Sequence, residues 1–515
     1  MLFPKAGVSA VNGLIPGKNF IEWAKLIGRP SWWPVLLLVP IVNIFIFVGM
    51  AVDLVRSFKK YNFIHSAVAV IYSPAIFASL AKNDDAKYDG PNYINERNYL
   101  SQIREAYKAG DKIKLERLQK KNPYRKSPIR EWAESIVFAV FAAAFIRMFL
   151  IEAFVIPTPS MEGSLMVGDF LFVSKASYGI RTPMTIAMIP LLHNRIPGLG
   201  TESYFRKPSL KYYRLPGLEQ IDRNKPIVFN WPVGDSVYIT SQRSYTLGQA
   251  ERNKEFISYD RELAQKVKKK DYVVRPIDKK DHYIKRCIAL PGDTLQIVNR
   301  QVYINGVASV NPNELQFLYK VQLPKSGFNT KRLKDWGIGD TETDIVGNAS
   351  NPYYFLNQEQ ADKLKAVGNG IEVEVYKNSI EPKKLFPHDS KHFGTWSVDD
   401  YGPIWMPKAG VTIDINDSNI SLYRRVISVY ENNKLEERDG IIIINGEPAT
   451  QYTFKQDYYW AMGDNRHNSE DSRMWGFVPF DHIVGKPLFI WFSTKNARIS
   501  DGIRFNRIFK SANVD

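Results

Sequence analysis

Apolar positions follow two regimes along this chain. In the first 150 residues they form long runs, and from Gly168 onward they form short alternating ones. Ser31 to Val55, SWWPVLLLVPIVNIFIFVGMAVDLV, is long enough to cross a bilayer, with Trp32 and Trp33 set as an interfacial pair. Pro34, Pro40, Asn43 and Asp53 interrupt it. Phe63 to Ala81, FIHSAVAVIYSPAIFASLA, is a second run, broken by His65 and Pro74. Residues 31–81 therefore predict one or two membrane helices, with a helical hairpin dipping into one leaflet as the alternative. Trp132 to Ile151, WAESIVFAVFAAAFIRMFLI, is the third run. Its end charges, Glu134 and Arg147, can reach the headgroups, and a transmembrane helix is read over 132–152.

The polar segments between the runs set an orientation. Lys82 to Ala133 holds thirteen basic and eight acidic residues, an excess that marks 82–131 as a cytoplasmic loop. Leu100 to Lys121 has the spacing of a solvated helix. Residues 1–30 lack the layout of a cleavable signal peptide and are read as a cytoplasmic segment. With the basic loop inside, the helix at 132–152 carries the chain outward.

Beyond Gly168, DFLFVSKASYG, KPIVFNW, VYINGV, YRRVISVY, DGIIIINGE and PLFIWFS read as strands punctuated by Gly, Pro, Asn and Asp. The expectation is a mainly β domain of antiparallel sheets or a barrel, not a βαβ array. It would occupy 153–310 and 418–500, with 183–220 and 311–417 as insertions and 501–515 as a tail. One internal echo stands out. YIKRCIALPGDTLQIVNRQVYING from Tyr283 and YRRVISVYENNKLEERDGIIIING from Tyr423 lie 140 residues apart. Each reads as a strand, a turn and a strand ending in Asn-Gly, the turn signal of a tight hairpin. Chance similarity and duplication both fit.

Composition narrows the class. The 515 residues suggest about three domains, and 44% hydrophobic with 24% charged residues is globular usage. The net charge of +16 points to nucleic acid, anionic lipid or the cytoplasmic flank of a membrane helix. No nucleic-acid-binding motif is present, so the membrane readings lead. The single cysteine, Cys287, excludes an internal disulfide and a cysteine metal site. No ligand cluster of metal spacing and no phosphate loop indicates a cofactor.

The chemistry centres on Ser160, in VIPTPSMEGSL just past the third run. A serine hydroxyl needs a base to become a nucleophile. None of His65, His193, His282, His388, His392, His467 and His482 accompanies a nucleophile-elbow pattern, though a triad is open because its members can lie anywhere. A lysine is the other candidate. It acts as a base only when neutral, so burial must bring its pKa from about 10.4 toward 7 or 8. Lys285 sits among Tyr283, Ile284, Cys287, Ile288, Ala289 and Leu290, and on a strand it shares a face with Tyr283 and Cys287. Taken alone it reads as a surface lysine.

Three segments resemble the bacterial type I signal peptidases, the membrane-bound leader peptidases with a Ser-Lys dyad. They are IPTPSMEGSLMVGDFLFVSKASYGIRTP, YIKRCIALPGD and MGDNRHNSEDSRMWGFVPFDHIVGKP, in the family's order after a membrane helix. RNKPIVFNWP resembles the strand beside the site. The long insertions and extra N-terminal runs resemble those of Bacteroidetes-type enzymes. The resemblance implies Ser160 as nucleophile and Lys285 as general base, with the Ser160 N–H and Thr158 side chain forming the oxyanion hole. Ser469 would orient the lysine amine by a hydrogen bond, Asp464 would pair with Arg286, and Asp471 with Arg473. Phe154, Ile156, Pro157, Met161, Leu165, Val228, Tyr283 and Ile284 would line shallow apolar pockets for small residues at −1 and −3.

The function implied is cleavage of N-terminal signal peptides from exported preproteins after Ala-x-Ala, through an acyl-enzyme. The implied place is the bacterial inner membrane, catalytic domain on the periplasmic side. Signal peptides, the bilayer and the secretion machinery would be the partners, with no nucleic acid, metal or cofactor. An apolar rim from Met161 to Phe172 would rest on lipid. Two other readings stand beside it: a self-cleaving Ser-Lys protease, and an inactive membrane-anchored β domain that binds peptides.

Overall fold

Caps, glycines and prolines set where the N-terminal helices start and stop. The computed structural model describes residues 2–39, 42–196, 201–322, 330–338, 345–348, 351–368, 370–377 and 380–513. Pro40, part of the 183–220 segment, parts of the 311–417 segment and the end of the 501–515 tail lie outside the described residues. The chain divides into two compact units, 1–139 and 140–515.

In the first unit α1 is Lys18–Ile27 and α2 is Val42–Arg56. The apolar run from Ser31 is not one helix: Pro34 sits in a 3₁₀ segment, Trp33–Leu38, ahead of α2. At fifteen residues α2 spans about 22 Å, short of a bilayer core. Its Asp53 is half of an ion pair with Arg29 at 2.9 Å. The helix α3, Phe63–Lys82, begins where the Asn62 side chain accepts the His65 N–H at 3.0 Å. It bends at Tyr72 (φ −152°, ψ 76°), two residues before Pro74, whose ring clashes with the preceding turn. The solvated helix read over Leu100 to Lys121 is two helices, α4 (Asn92–Lys108) and α5 (Lys112–Lys120). Gly110 turns between them at φ 68°, and Asp111 caps the second. Trp23, Ile27, Met50, Leu54, Ile76 and Leu80 form the unit's core. The helix α6, Pro128–Phe149, begins in this unit and ends in the second. Among the described residues α3 and α6 are the two helices long and apolar enough to cross a membrane.

The second unit is built on a seven-stranded antiparallel half-barrel. Its strands are β1 (Ile151–Val155), β2 (Asp169–Ser174), β3 (Pro226–Asn230), β4 (His282–Ala289), β5 (Tyr458–Met462), β6 (Val478–Pro479) and β7 (Ile483–Ser493). The order across the sheet is β1-β2-β7-β3-β4-β5-β6. Alternation fills both faces. Val228 and Ile284 pack with Ile156, Met161 and Leu165, while Ile227, Phe229, Tyr283 and Cys287 pack with Trp231 and Trp475 on the other side.

The internal echo is half structural. Thr294–Val298, Gln301–Ile304 and Val307–Ala308 form a meander, and Leu435–Arg438, Ile441–Ile444 and Glu447–Pro448 form another. Asn305-Gly306 and Asn445-Gly446 make the tight turns, all at positive φ. Even the caps repeat: the Asn305 side-chain Oδ1 accepts the Thr294 N–H, and the Asn445 Oδ1 accepts the Lys434 N–H. The halves diverge before the meander. YRRVISVY, read as a strand, is helical over Ile420–Arg425 and continues as a π-turn over Val426–Tyr430. Ile420, Leu422, Tyr423, Val426 and Ile427 are buried at helical spacing. A window opening at Tyr423 misses the first two and leaves what looks like alternation.

Two further differences bear on the site. The interval 311–417 is not a single insertion. Gln316–Gln322, Ile345–Asn348, Asn351–Asn357 and Glu372–Val375 form a separate sheet with helix Gln358–Ala366 and their own core. Tyr401–Trp405 instead pairs with Thr294–Val298, because Tyr401, Ile404 and Met406 complete the main core beside Trp460 and Phe477. The all-β reading also misses three short helices between β3 and β4: Leu247–Arg252, Lys254–Tyr259 and Arg261–Lys269. Thr246 and Gln249 cap the first reciprocally, a signal the sequence carries as Thr-x-x-Gln.

Candidate active site

A single 3₁₀ turn, Pro159–Met161, presents Ser160. Thr158 is extended before it (φ −133°, ψ 150°), and Pro159 takes the first turn position, where a fixed φ and a missing N–H cost nothing. The Asn465 N–H holds the Ser160 carbonyl at 3.1 Å. Lys285 lies midway along β4. Its Nζ is 2.6 Å from Ser160 Oγ and 3.0 Å from the Ile284 carbonyl. The pair is nearly dry: Ser160 is 7% exposed and Lys285 3%. Burial pulls the Lys285 ammonium down to about 8, against the opposing pull of Asp471, Glu470 and Asp464.

The strand register supplies the support. Met462 of β5 lies opposite Arg286 of β4, so the chain just past Met462 brings Asp464 to the guanidinium. That pair is bidentate, at 2.8 and 2.7 Å, and both side chains are fully buried. Asp471 and Arg473 form a second bidentate pair at 2.9 and 2.8 Å. Burial alone would raise the Asp471 carboxyl, but Arg473 and the Gly463 N–H hold it below its ordinary value. Gly463 leaves room between these parts. A Cβ there would sit 2.3 Å from Ser469 Oγ and 2.4 Å from the Ser160 carbonyl.

One contact read from the sequence is not made. Ser469 lies beside the pair, but its hydroxyl does not hydrogen-bond the Lys285 amine, whose two partners are Ser160 and Ile284. Its effect falls on the Asp471 carboxyl instead, which it helps to hold down.

Ser160 and Lys285 open on a cleft of about 810 Å³. Phe154, Ile156, Pro157, Thr158, Met161, Val228, Tyr283 and Ile284 line it, with Ser469. Leu165 does not: it is fully buried beneath Met161 and packs with Ile156 and Leu171. The rim expected over Met161 to Phe172 is not made by all of these residues. Met161 and Leu165 point inward, while Trp491, Phe505 and Phe509 are exposed rings, with Phe172 stacked on Trp491 and Phe170 edge-on to it.

The cleft also has walls the sequence reading missed. Trp231 stacks on Tyr283 at 5.3 Å. Arg243, in the loop ahead of the short strand Ser244–Thr246, and Gln249, in the first of the short helices, both bond Glu470 beside Ser469. His467 is tied to Asp399 at 2.7 Å and to the Leu318 N–H at 3.2 Å, and so links the loop carrying Asp464 and Asp471 to the 316–375 sheet. The Thr-x-x-Gln cap was the one sequence signal for this wall; the partners of Glu470 and His467 lie 68 or more residues away in sequence.

The β4 edge along the cleft is open where a peptide would lie. β5 pairs with β4 only from Arg286 onward, so His282 to Lys285 have a strand partner on one side alone among the described residues. β1 is likewise an edge strand. A hydroxyl, an adjacent buried amine, and open strand edges over an apolar cleft can perform acyl transfer on an extended peptide. Among the described residues, no group of three or more His, Cys, Asp or Glu side chains is gathered to hold a metal.

Comparison with known proteins places this geometry. Residues 129–357 and 406–492 match the family described as "Signal peptidase, peptidase S26". Residues 11–91 match a family of unknown function. Signal peptidase I of Buchnera aphidicola is 24% identical over 72% of this chain and 78% of its own length. Signal peptidase I of Helicobacter pylori is 22% identical over 74% of this chain and 90% of its own. That of Haemophilus influenzae is 25% identical over 74% and 76%. The class is therefore that of the serine endopeptidases. More narrowly, the chain belongs to the peptidase S26 family, as a bacterial type I signal peptidase that cleaves signal peptides.

Proposed function

We propose that Ser160 is the nucleophile and Lys285 its general base, acting on preproteins after small residues in the pattern Ala-x-Ala. The observation that carries this reading is the 2.6 Å separation of Lys285 Nζ and Ser160 Oγ, both buried at the mouth of an apolar cleft. With the amine neutral, the serine hydroxyl donates to its lone pair. The proton passes to Nζ as Oγ bonds the scissile carbonyl carbon. The carbonyl oxygen becomes an oxyanion, received by the Ser160 N–H and the Thr158 side chain. The tetrahedral intermediate collapses by breaking the C–N bond, and the Lys285 ammonium protonates the departing amine. Water then enters, gives its proton to the same amine, and releases the ester as a free carboxyl and a restored Ser160.

The substrate would add as a strand along β1 and the open half of β4. Alternate side chains would then meet Ile156, Val228 and Ile284, which line the cleft, and small groups such as alanine's would be the ones accepted. We place the 82–131 loop in the cytoplasm and the β unit on the periplasmic face of the inner membrane, with α6 crossing between. The exposed rings of Trp491, Phe505 and Phe509 would sit in the lipid interface, and the secretion machinery would deliver the preprotein.

Ser160→Ala should leave a precursor ending in Ala-x-Ala uncut. Lys285→Ala should slow cleavage by about a hundred- to ten-thousandfold, the scale of a lost general base. Cleavage at the wild-type rate by either variant would remove the dyad from the account.

A further inference from the structure

A second, smaller cavity shares His282 with the cleft, and nothing in peptide cleavage uses it. It has a volume of about 80 Å³ and is bounded by the end of α6, by β1 and β2, and by the loop leading to β4. Four cationic side chains line it: Arg147, Lys175, Arg181 and Lys279. Two carboxylates answer them, Glu152 and Asp278. His193 and His282 also line it, but burial pushes both below their ordinary values and keeps them neutral. Burial also pulls the Lys175 and Lys279 ammoniums below their ordinary values, so the lining carries two positive charges in excess only when both are protonated.

The excess falls on one group. Arg147 and Lys175 both bond Glu152 at 2.8 Å. Arg181 donates to the Asp481 carbonyl and the Asn230 side chain, each at 2.9 Å. Asp278 accepts from the Thr185 N–H and hydroxyl. Lys279 has no such partner among the described residues. It is 3% exposed, and its amine touches only the Met188 sulfur at 2.9 Å and the face of Tyr204. A dry ammonium against a thioether is costly unless something else supplies oxygen.

We propose that this cavity is a binding site for a phosphate group, with the Lys279 ammonium as its central contact and Arg147 and Lys175 flanking it. A phosphate's oxygens reach several cations at once and neutralise more than one charge. Position favours the headgroup of an anionic phospholipid over free phosphate. Arg147 sits two residues before the end of α6, where a helix crossing the bilayer meets the headgroups. That preference rests on α6 crossing the membrane; the cavity's chemistry does not.

The test uses the full-length chain. In detergent, thermal unfolding is followed while inorganic phosphate is titrated against chloride at matched ionic strength. In nanodiscs, phosphatidylcholine alone is compared with phosphatidylcholine doped with phosphatidylglycerol. Peptide cleavage is measured in the same samples, so that loss of the site and loss of the active-site reading are told apart. The melting temperature should rise with phosphate, with phosphatidylglycerol, or with both; the arm that responds names the source. Lys279→Met should melt higher than the wild type without either anion, because a buried unpaired charge is gone. Its phosphate midpoint should move to at least about tenfold higher concentration, the effect of losing one charge close to an anion in a shielded site. Lys279→Arg should keep the response. A wild type indifferent to both anions overturns the proposal, and so does a Lys279→Met variant that responds as strongly as the wild type. If Lys279→Met fails to fold, the wild-type comparison of phosphate with chloride decides.

Discussion

At the scale of single residues, the site depends on small atoms in crowded places. Gly463→Ala places a methyl carbon against Ser469 Oγ and the Ser160 carbonyl. The backbone under the nucleophile must shift, and kcat should fall by about a hundredfold, as it does when reacting groups are misplaced by an ångström. A circular dichroism spectrum like the wild type's would show that the fold survives. Lys285 makes an opposite trade. Its ammonium titrates near 8 in the folded chain and near 10.4 in the unfolded one, so unfolding takes up a proton between those values. Stability gained through this group rises with pH across that window, and below it the full cost of burying the charge is present. Lys285→Met should therefore melt higher than the wild type at pH 7, with the difference shrinking toward pH 10, while cleavage is lost. Ser160 and Lys285 were legible because neighbouring residues carried the family pattern. The environment of Ser469 was not, since one rotamer decides whether its hydroxyl meets the amine or, as here, has no hydrogen-bond partner among the described residues.

At the scale of elements, strand register makes the site rigid. β4 sends Lys285 to the cleft and Arg286 to the opposite side, where Asp464 meets it from the chain following β5. Breaking one half of a buried pair strands the other charge. Asp464→Asn should cost about 3–5 kcal/mol in a denaturant titration, and the double replacement Arg286→Met with Asp464→Leu should recover much of it. The sequence revealed the strands that alternate cleanly, and the Asn-Gly turns. It misread YRRVISVY because tertiary packing against Phe454 and Phe477 selects a helix for residues whose local preference is strand. It also missed the cleft wall of Arg243 and Gln249, because the short helices that follow Arg243 and carry Gln249 bury few apolar residues and so leave a faint period.

At the scale of the whole chain, the proposed topology puts the 82–131 loop and the β unit on opposite sides of a membrane. The single cysteine makes this measurable, because Cys287 is fully buried and silent to thiol reagents. Ile113→Cys and Val310→Cys each place a thiol at a position more than four-fifths exposed. In intact spheroplasts an impermeant maleimide should label the second and spare the first until the membrane is permeabilised. Labelling of both before permeabilisation would put the loop outside. The long N-terminal runs announced membrane helices, yet the sequence could not separate α2, which is too short and carries a paired Asp53, from the longer α3.

If an uncharged Lys285 takes the proton of Ser160, the pH dependence of kcat/KM for a precursor peptide must show it. The rate should climb tenfold per pH unit at low pH and level off through a single ionisation near 8. A rate that stays level from pH 8 down to about pH 5 would contradict it, because no neutral lysine amine would then be required.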